Sequence, residues 1–547
     1  MIKQNENQYD VIVIGGGITG AGTARDCAMR GLKVLLVERQ DFTVGATGRN
    51  HGLLHSGARY AVTDGESAAE CIKENMILRK IASNCVEETE GLFITLPEDD
   101  LAYQKTFIDA CRKAGISAEA IDPALARRME PAVNPTLTGA VKVPDASVDP
   151  FRLTVANVLD ARLHGATTLT YHEVVDFIID QTRVVGVKLR NNHTGDITEA
   201  YAKITINAAG IWGHLVAKKA GININMFPAK GALLIFGHRV NNMVINRCRK
   251  PANADILVPD DTVCVIGTTS DRVPFDQIDD MRVTDAEVQV LLSEGEKLAP
   301  ALATTRVIRA YAGVRPLVAS DNDPSGRSIS RGIVCLDHEL RDGLAGFITI
   351  TGGKMMTYRQ MAEDATDLAC QKLGNTTPCA TANTPLPGSE NHSGSESKSK
   401  LWSVAQKAAE GRHGTLAKNI PSGDIIDDAL VCECENVSVG EVKYAYNELH
   451  VHNLTNLRRR TRMGMGTCQG ELCACRAANV LCALNEGNDA DHCAADLASF
   501  MNERWKGTKP VAWGATLCEA QLTATIYEGL CGLDKFAQSN NEGGLAK

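Results

Sequence analysis

Four cysteines near the C-terminus are the residues whose spacing says most about chemistry: Cys432-x-Cys434, followed by Cys468-x4-Cys473. Thiolates are soft ligands, and two close pairs of them are the layout of a [2Fe-2S] cluster or a structural zinc site. A C-x-C pair is tighter than the C-x2–4-C pairs of most zinc sites, which favours the cluster and leaves zinc as the lesser alternative. At the other end of the chain stands Gly15-Gly16-Gly17-Ile18-Thr19-Gly20, with Glu38 some twenty positions on. Glycines at this spacing permit a tight turn, backbone approach to a pyrophosphate and close helix–strand packing. The helix that follows turns its N–H groups and positive end toward the phosphates, and Glu38 is placed to accept hydrogen bonds from ribose hydroxyls. The fingerprint alone serves FAD and NAD equally.

The elements that must position these residues are legible from period and punctuation. Residues 11–14 read as a buried strand, 20–30 as a helix and 34–37 as a second strand, a βαβ opening. Phe107, Ile108, Cys111 and Ala114 share one face of a helix stopped at Gly115. Two alternating runs, 174–179 and 184–189, flank a turn at 181–183, and a second turn follows at 191–195. The pattern predicts a β-meander inserted in a dinucleotide domain, with 204–210 as the strand that returns to it. Residues 227–346 mix strands and helices and read as a substrate-side layer. A glycine turn at 349–354 leads into an amphipathic helix from about 358 through 373.

The expected domains are a dinucleotide-binding unit over 1–378, with its binding and substrate layers interleaved, a linker over 379–429, the cysteine module over 430–485 and a tail over 486–547. Residues 380–400 are rich in Ser, Pro and Gly and lack apolar period, hence the linker. The tail carries Trp505 and Trp513 and is too apolar for plain disorder.

A chain of 547 residues exceeds one compact core, and 44% hydrophobic with 22% charged residues is ordinary for a globular protein. A net charge of -9 gives no general bias toward nucleic acid. No apolar run is long enough to span a membrane, and the polar start lacks a secretory signal, so the cytoplasm is expected. There most of the 18 cysteines stay reduced, as core residues such as Cys27, Cys71 and Cys111, and no disulfide framework is expected. The run Arg458-Arg-Arg-Thr-Arg462 reads either as charge that raises the cluster potential or attracts an acidic partner, or as a solvated helix face.

Three separated stretches carry a resemblance: 45–60 (GATGRNHGLLHSGARY), 310–316 (AYAGVRP) and Gly352-Gly353-Lys354. Together they resemble flavin-dependent glycerol-3-phosphate dehydrogenases, and with the cysteine module they resemble the catalytic subunits of the anaerobic, quinone-linked branch. The module itself is similar to the small [2Fe-2S] domain related to bacterioferritin-associated ferredoxin. The resemblance implies an α/β (α+β overall) chain: a glutathione-reductase/D-amino-acid-oxidase-like FAD-binding domain with a substrate layer, plus the small C-terminal cysteine-cluster domain.

It implies FAD at Gly15, Gly16, Gly17, Thr19, Gly20, Glu38, Arg39, Thr47, Gly48, Gly210, Gly352 and Gly353, and a [2Fe-2S] cluster on Cys432, Cys434, Cys468 and Cys473. It also implies that Arg59, Arg315, Arg331 and Lys354 line the pocket for the substrate phosphate and hydroxyl, as guanidinium chemistry favours. Relatives often carry a histidine soon after a Lys-Gly pair; here Lys230-Gly231 is followed by Ala232 and Leu233. His55 and Tyr60 are the remaining candidates for the base. The expected reaction is oxidation of glycerol 3-phosphate to dihydroxyacetone phosphate, with electrons passing through the cluster to quinone. The implied partners are a second flavoprotein and an iron–sulfur membrane-anchor subunit, which would hold the chain peripherally on the inner face of the cell membrane. Rival readings are a flavin-dependent amino or imino acid dehydrogenase subunit, and a non-enzymatic flavin scaffold.

Overall fold

Strand Gln8–Ile14 is the axis on which the N-terminal unit is built. Its last four residues are buried on both faces, as parallel strands covered by helices must be. It pairs in parallel with Val34–Val37 on one side and Ile197–Asn207 on the other, and the latter pairs in parallel with Phe347–Gly352. The meander is the antiparallel pair His172–Asp180 and Arg183–Asn191, which joins the same eight-stranded sheet through Ile197–Asn207. Helices Ile18–Met29, Pro150–Leu163 and Tyr358–Leu373 cover one face, where Ala21, Ala24, Val158, Ala161, Met361 and Ala365 meet the strands. The computed structural model describes residues 7–318, 332–390, 404–485, 487 and 489–537.

The substrate-side layer is a second sheet of nine strands, centred on the long antiparallel pair Met226–Phe236 and Val307–Val318. Register sets Gly231 opposite Gly313 and Ala229 opposite Arg315. The core between the two sheets includes Ile12, Leu35, Leu234, Ile245, Ile266 and Phe347. Each such side chain contributes about 1.5–3 kcal/mol on burial.

The C-terminal module packs helices Val439–Glu448, Leu454–Thr461 and Ala474–Leu484 around Val442, Leu454, Leu457 and Leu481. Four features differ from expectation. Part of the expected linker is structured: Leu386 and Ser389 are buried, and 404–413 is a helix. That helix has a sparse apolar stripe because its buried anchor is ionic: Arg412 donates to Glu441 through Nε at 2.7 Å, and His413 reaches the same carboxylate at 2.9 Å. The tail is part of the module, since helix Ala490–Thr508 places Leu497, Ala498 and Phe500 in its core. Among the described residues one disulfide is present, Cys482–Cys493, which ties helix Ala474–Leu484 to helix Ala490–Thr508.

The arginine run is neither a solvated face nor a free cationic patch. Arg460 and Arg459 donate to the buried carboxylate of Asp41, at 2.5 and 2.8 Å, and Arg462 reaches Asp260 and Glu435 at 3.0 Å. Sequence reading missed this because Asp41 and Asp260 lie in the flavin domain, and Glu435 stands 27 residues before Arg462 within the module. The pairs with Asp41 and Asp260 fasten the cysteine module to the flavin domain.

Candidate active site

A cavity of about 1160 Å³ opens between the two sheets. Its wall includes Gly15, Gly17, Thr19, Glu38, Arg39, Thr47, Gly210, Gly352 and Gly353, nine of the twelve residues expected to hold the cofactor. The same wall includes His55, Arg59, Tyr60, Arg315 and Lys354. Of the expected substrate residues only Arg331 is missing from this wall, and it lies outside the described residues.

Gly16, Gly20 and Gly48 are not on the wall but shape it from behind. Gly16 N–H donates to Glu38 Oε2 at 2.7 Å, and Gln40 N–H holds the other carboxylate oxygen at 2.8 Å. Any Cβ on Gly20 would sit 1.9 Å from the Gly15 carbonyl oxygen, so only glycine lets the helix start this close to the strand. Thr47 accepts the Ile18 N–H at 3.1 Å, which fixes the helix entrance. The cradle of glycines and helix N–H groups, together with the cavity size, fits a dinucleotide such as FAD.

The cations of the pocket are held by the protein before any substrate arrives. Arg59 donates to Asp255 Oδ2 and to the Ala252 carbonyl, both at 3.1 Å. Arg315 donates to Thr268 Oγ1 at 2.5 Å, to the Thr269 carbonyl at 3.1 Å and to the Lys230 carbonyl at 3.2 Å. Its guanidinium lies across Gly231, where a Cβ would stand 2.6 Å from Nη2. The Lys-Gly pair therefore has a physical role here: the glycine makes room for Arg315, and Lys230 pairs with Glu287 at 2.7 Å. Lys354 follows two left-handed glycines and stands 4.9 Å over the Tyr60 ring.

Among the wall residues not singled out from sequence are His51, Thr268 and Ser270. His51 lies within the 45–60 stretch, whose density of His, Gly and Arg was the available signal. Burial, reinforced by Arg315 and Arg59, pushes His51 down to about 3. Its Nδ1 accepts the Leu53 N–H at 3.2 Å, so the neutral ring carries its proton on Nε2. Thr268 and Ser270 follow a strand end and gave no signal beyond a run of hydroxyls.

The four cysteines converge. Cys473 lies beside Cys432 and Cys468, with its thiol 3.3 Å from Met463 Sδ, and Cys468 lies beside Cys434. The neighbouring Cys473 thiol pulls Cys432 down to about 7 and Cys468 to about 5, aided by backbone N–H groups of Gly464, Glu435, Leu472 and Gly470. Those same neighbours push Cys473 up, and burial raises Cys434 to about 11. A sulfur quartet that already accepts backbone N–H bonds suits an anionic cluster.

Residues 10–359 match the family described as FAD dependent oxidoreductase, and residues 430–482 match the BFD-like [2Fe-2S] binding domain. Over 537 residues the chain is 61% identical to the A-subunit of the anaerobic glycerol-3-phosphate dehydrogenase of Escherichia coli (strain K12), covering 98% of this chain and 99% of that one. The chain belongs to this A-subunit family. The Haemophilus influenzae member is 60% identical over 96% of this chain and 93% of its own.

The family fold is seen in a solved glycerol-3-phosphate dehydrogenase from Bacillus halodurans complexed with FAD, at TM-score 0.71 and 23% identity, covering 94% and 97% of the two chains. An L-proline dehydrogenase from P. horikoshii shares the fold over 68% of this chain and 95% of its own, at TM-score 0.56 and 22% identity. That likeness is one of fold alone, and the amino or imino acid reading is not favoured beside A-subunit relatives that match from end to end.

Proposed function

We infer that the chain oxidises sn-glycerol 3-phosphate at C2 to dihydroxyacetone phosphate and hands the electrons, through its cysteine module, to partner subunits and quinone. The observation that carries this reading is the grouping of Arg59, Arg315 and Lys354 in the cavity that also holds the dinucleotide fingerprint. When bound, FAD supplies the hydride acceptor and the [2Fe-2S] cluster a one-electron exit.

Arg59 and Arg315 bind the phosphate dianion. Guanidiniums are suited to paired oxygens, and both are already fixed by Asp255 and by the Thr268–Ser270 segment, so little reorganisation accompanies binding. Lys354 stabilises the negative charge that grows on the C2 oxygen as its proton leaves. His51, neutral with Nε2–H, acts as a hydrogen-bond donor and is ruled out as proton acceptor in this tautomer. We assign the proton to His55, whose ring stands 5.8 Å from His51 and 5.5 Å from Tyr60, centroid to centroid.

The partners are a second flavoprotein and an iron–sulfur membrane-anchor subunit. Among the described residues no helix is long and apolar enough to cross a membrane. The seat on the inner face of the cell membrane therefore comes through those partners.

The test is an anaerobic absorption spectrum before and after glycerol 3-phosphate. Prompt flavin bleaching followed by loss of the iron–sulfur bands is expected. An FAD-loaded protein that stays oxidised with glycerol 3-phosphate yet bleaches with proline would overturn the reading.

A further inference from the structure

The four thiols are not equally covered. Cys432 and Cys473 are buried, whereas Cys434 and Cys468 are only half-buried and line a surface cavity of about 420 Å³ with Leu472, Thr516, Glu519 and Ala520. Leu472, next to Cys473, is 63% exposed. The tail lies against this loop: Thr523 Oγ1 donates to Glu471 Oε1 at 2.8 Å, and Tyr527 OH donates to the Glu471 carbonyl at 2.5 Å.

With Ala520, Thr523 and Tyr527 turned inward, the outer face of the same helical run presents Cys518, Leu522, Ile526 and Leu530 at intervals of four. Leu530 is 85% exposed, and Trp513, just before the helix, 57%. An apolar stripe of this spacing is a helix face lacking the surface it packs on. Its charge points to what that surface is. Between Lys509 and Lys535 there is no Lys or Arg, while Glu519, Glu528 and Asp534 are present. An apolar centre with an acidic rim complements an apolar patch ringed by cations.

We propose that this face, from Leu472 and Trp513 along Leu522, Ile526 and Leu530, is where the electron-accepting partner docks, a protein with a basic-rimmed apolar patch. The proposal rests on the functional reading above, in which electrons leave through the cysteine module. Each transfer moves one electron from the reduced cluster to a one-electron redox centre in the partner, and no bond forms or breaks. The half-covered side of the quartet is the side on which that acceptor comes closest.

Cys518 and Cys531 are the two exposed free thiols among the described residues, so maleimide labelling reads this face directly. In the complex purified intact from membranes, both thiols resist labelling; in the dissociated chain both react. Labelling of both in an intact complex that still reduces quinone overturns the proposal. So does protection in the isolated chain that grows with its concentration, which means self-association, or protection that disappears on deleting residues 538–547, which means the chain covers itself.

The double variant L522D/L530D is expected to lose at least tenfold in glycerol 3-phosphate:quinone activity while keeping its reduction of a phenazine dye. L340D, on a helix of the flavin domain where Leu340 is 86% exposed, changes neither. Equal quinone activity in the double variant refutes the assignment, and labelling of the unsubstituted complex decides the matter if that variant fails to fold. Failure of the unsubstituted protein to reduce dye with glycerol 3-phosphate would instead remove the functional reading, leaving the labelling result to stand.

Discussion

Arg315 owes its position to a glycine on the facing strand. Gly231 leaves open the space its guanidinium crosses, and an added methyl would displace the cation from Thr268 and the Thr269 carbonyl. Gly231→Ala is therefore expected to lower kcat/KM for glycerol 3-phosphate by about 10–100-fold, roughly 1.4–2.7 kcal/mol, with the flavin spectrum unchanged. Steady-state kinetics with quantified bound FAD checks it. Asp496 makes a different single-residue prediction. Burial pushes its carboxyl up to about 6, although it accepts the Leu454 N–H at 2.9 Å. A raised carboxyl is compatible with the fold while protonated, so stability from this group falls as pH rises from about 3.8 toward 6. Asp496→Asn keeps the acceptor without the charge and is expected to add about 1–2 kcal/mol at pH 7.5 and nothing near pH 4, read as the shift in Tm at the two values. At this scale the glycine fingerprint and the Cys quartet were visible in the sequence because each is a short motif with its own chemistry, whereas Arg59, Arg315 and Lys354 were reached only through the family resemblance of the stretches that carry them. Thr268 and Ser270 were not visible, because a hydroxyl that steadies an arginine 47 and 45 residues away leaves no local trace.

Helix Val404–His413 shows how an element escapes a reading based on apolar period. Only Ala405 and Ala409 supply buried apolar contacts, and its hold on the module is the Arg412–Glu441 pair. Nearby cations keep the Glu441 carboxyl down at about 2 against its burial. A depressed carboxyl contributes stability that is full above its unfolded value near 4.5 and is lost as pH falls toward 2. Glu441→Gln strands a buried guanidinium and is expected to cost about 3–5 kcal/mol at neutral pH, with the difference from the parent shrinking in that acid window. Urea titration at pH 7 and pH 3 measures both. The strands and helices around the FAD cavity were legible by contrast, since burial on both faces writes unbroken apolar runs such as Val11–Ile14 and Val34–Val37.

Over the whole molecule, the two domains are joined by ion pairs whose members lie hundreds of residues apart, 418 for Arg459 and Asp41 and 202 for Arg462 and Asp260. No sequence window contains both partners, so the basic run could only be read as a local feature. Asp41→Asn leaves Arg460 buried without its carboxylate partner, and about 3–5 kcal/mol of docking is expected to be lost. The readout is the rate of cluster reduction after flavin bleaching in stopped-flow spectra: it slows in the variant while the bleaching step keeps its rate.

Strand Gln8–Ile14, at the centre of the flavin sheet, is the earliest of the described strands, yet its neighbour Ile197–Asn207 and the strand beyond that, Phe347–Gly352, come much later. During synthesis at the ribosome, the strand meant for the middle waits with an open edge until Ile197–Asn207 has emerged, and that strand in turn keeps an open edge until Phe347–Gly352 follows, with more than half the chain made. The arginines that grip Asp41 follow after that edge is closed. The cysteine module thus docks on a finished surface, and nascent chains stalled before residue 347 are the ones expected to need a chaperone.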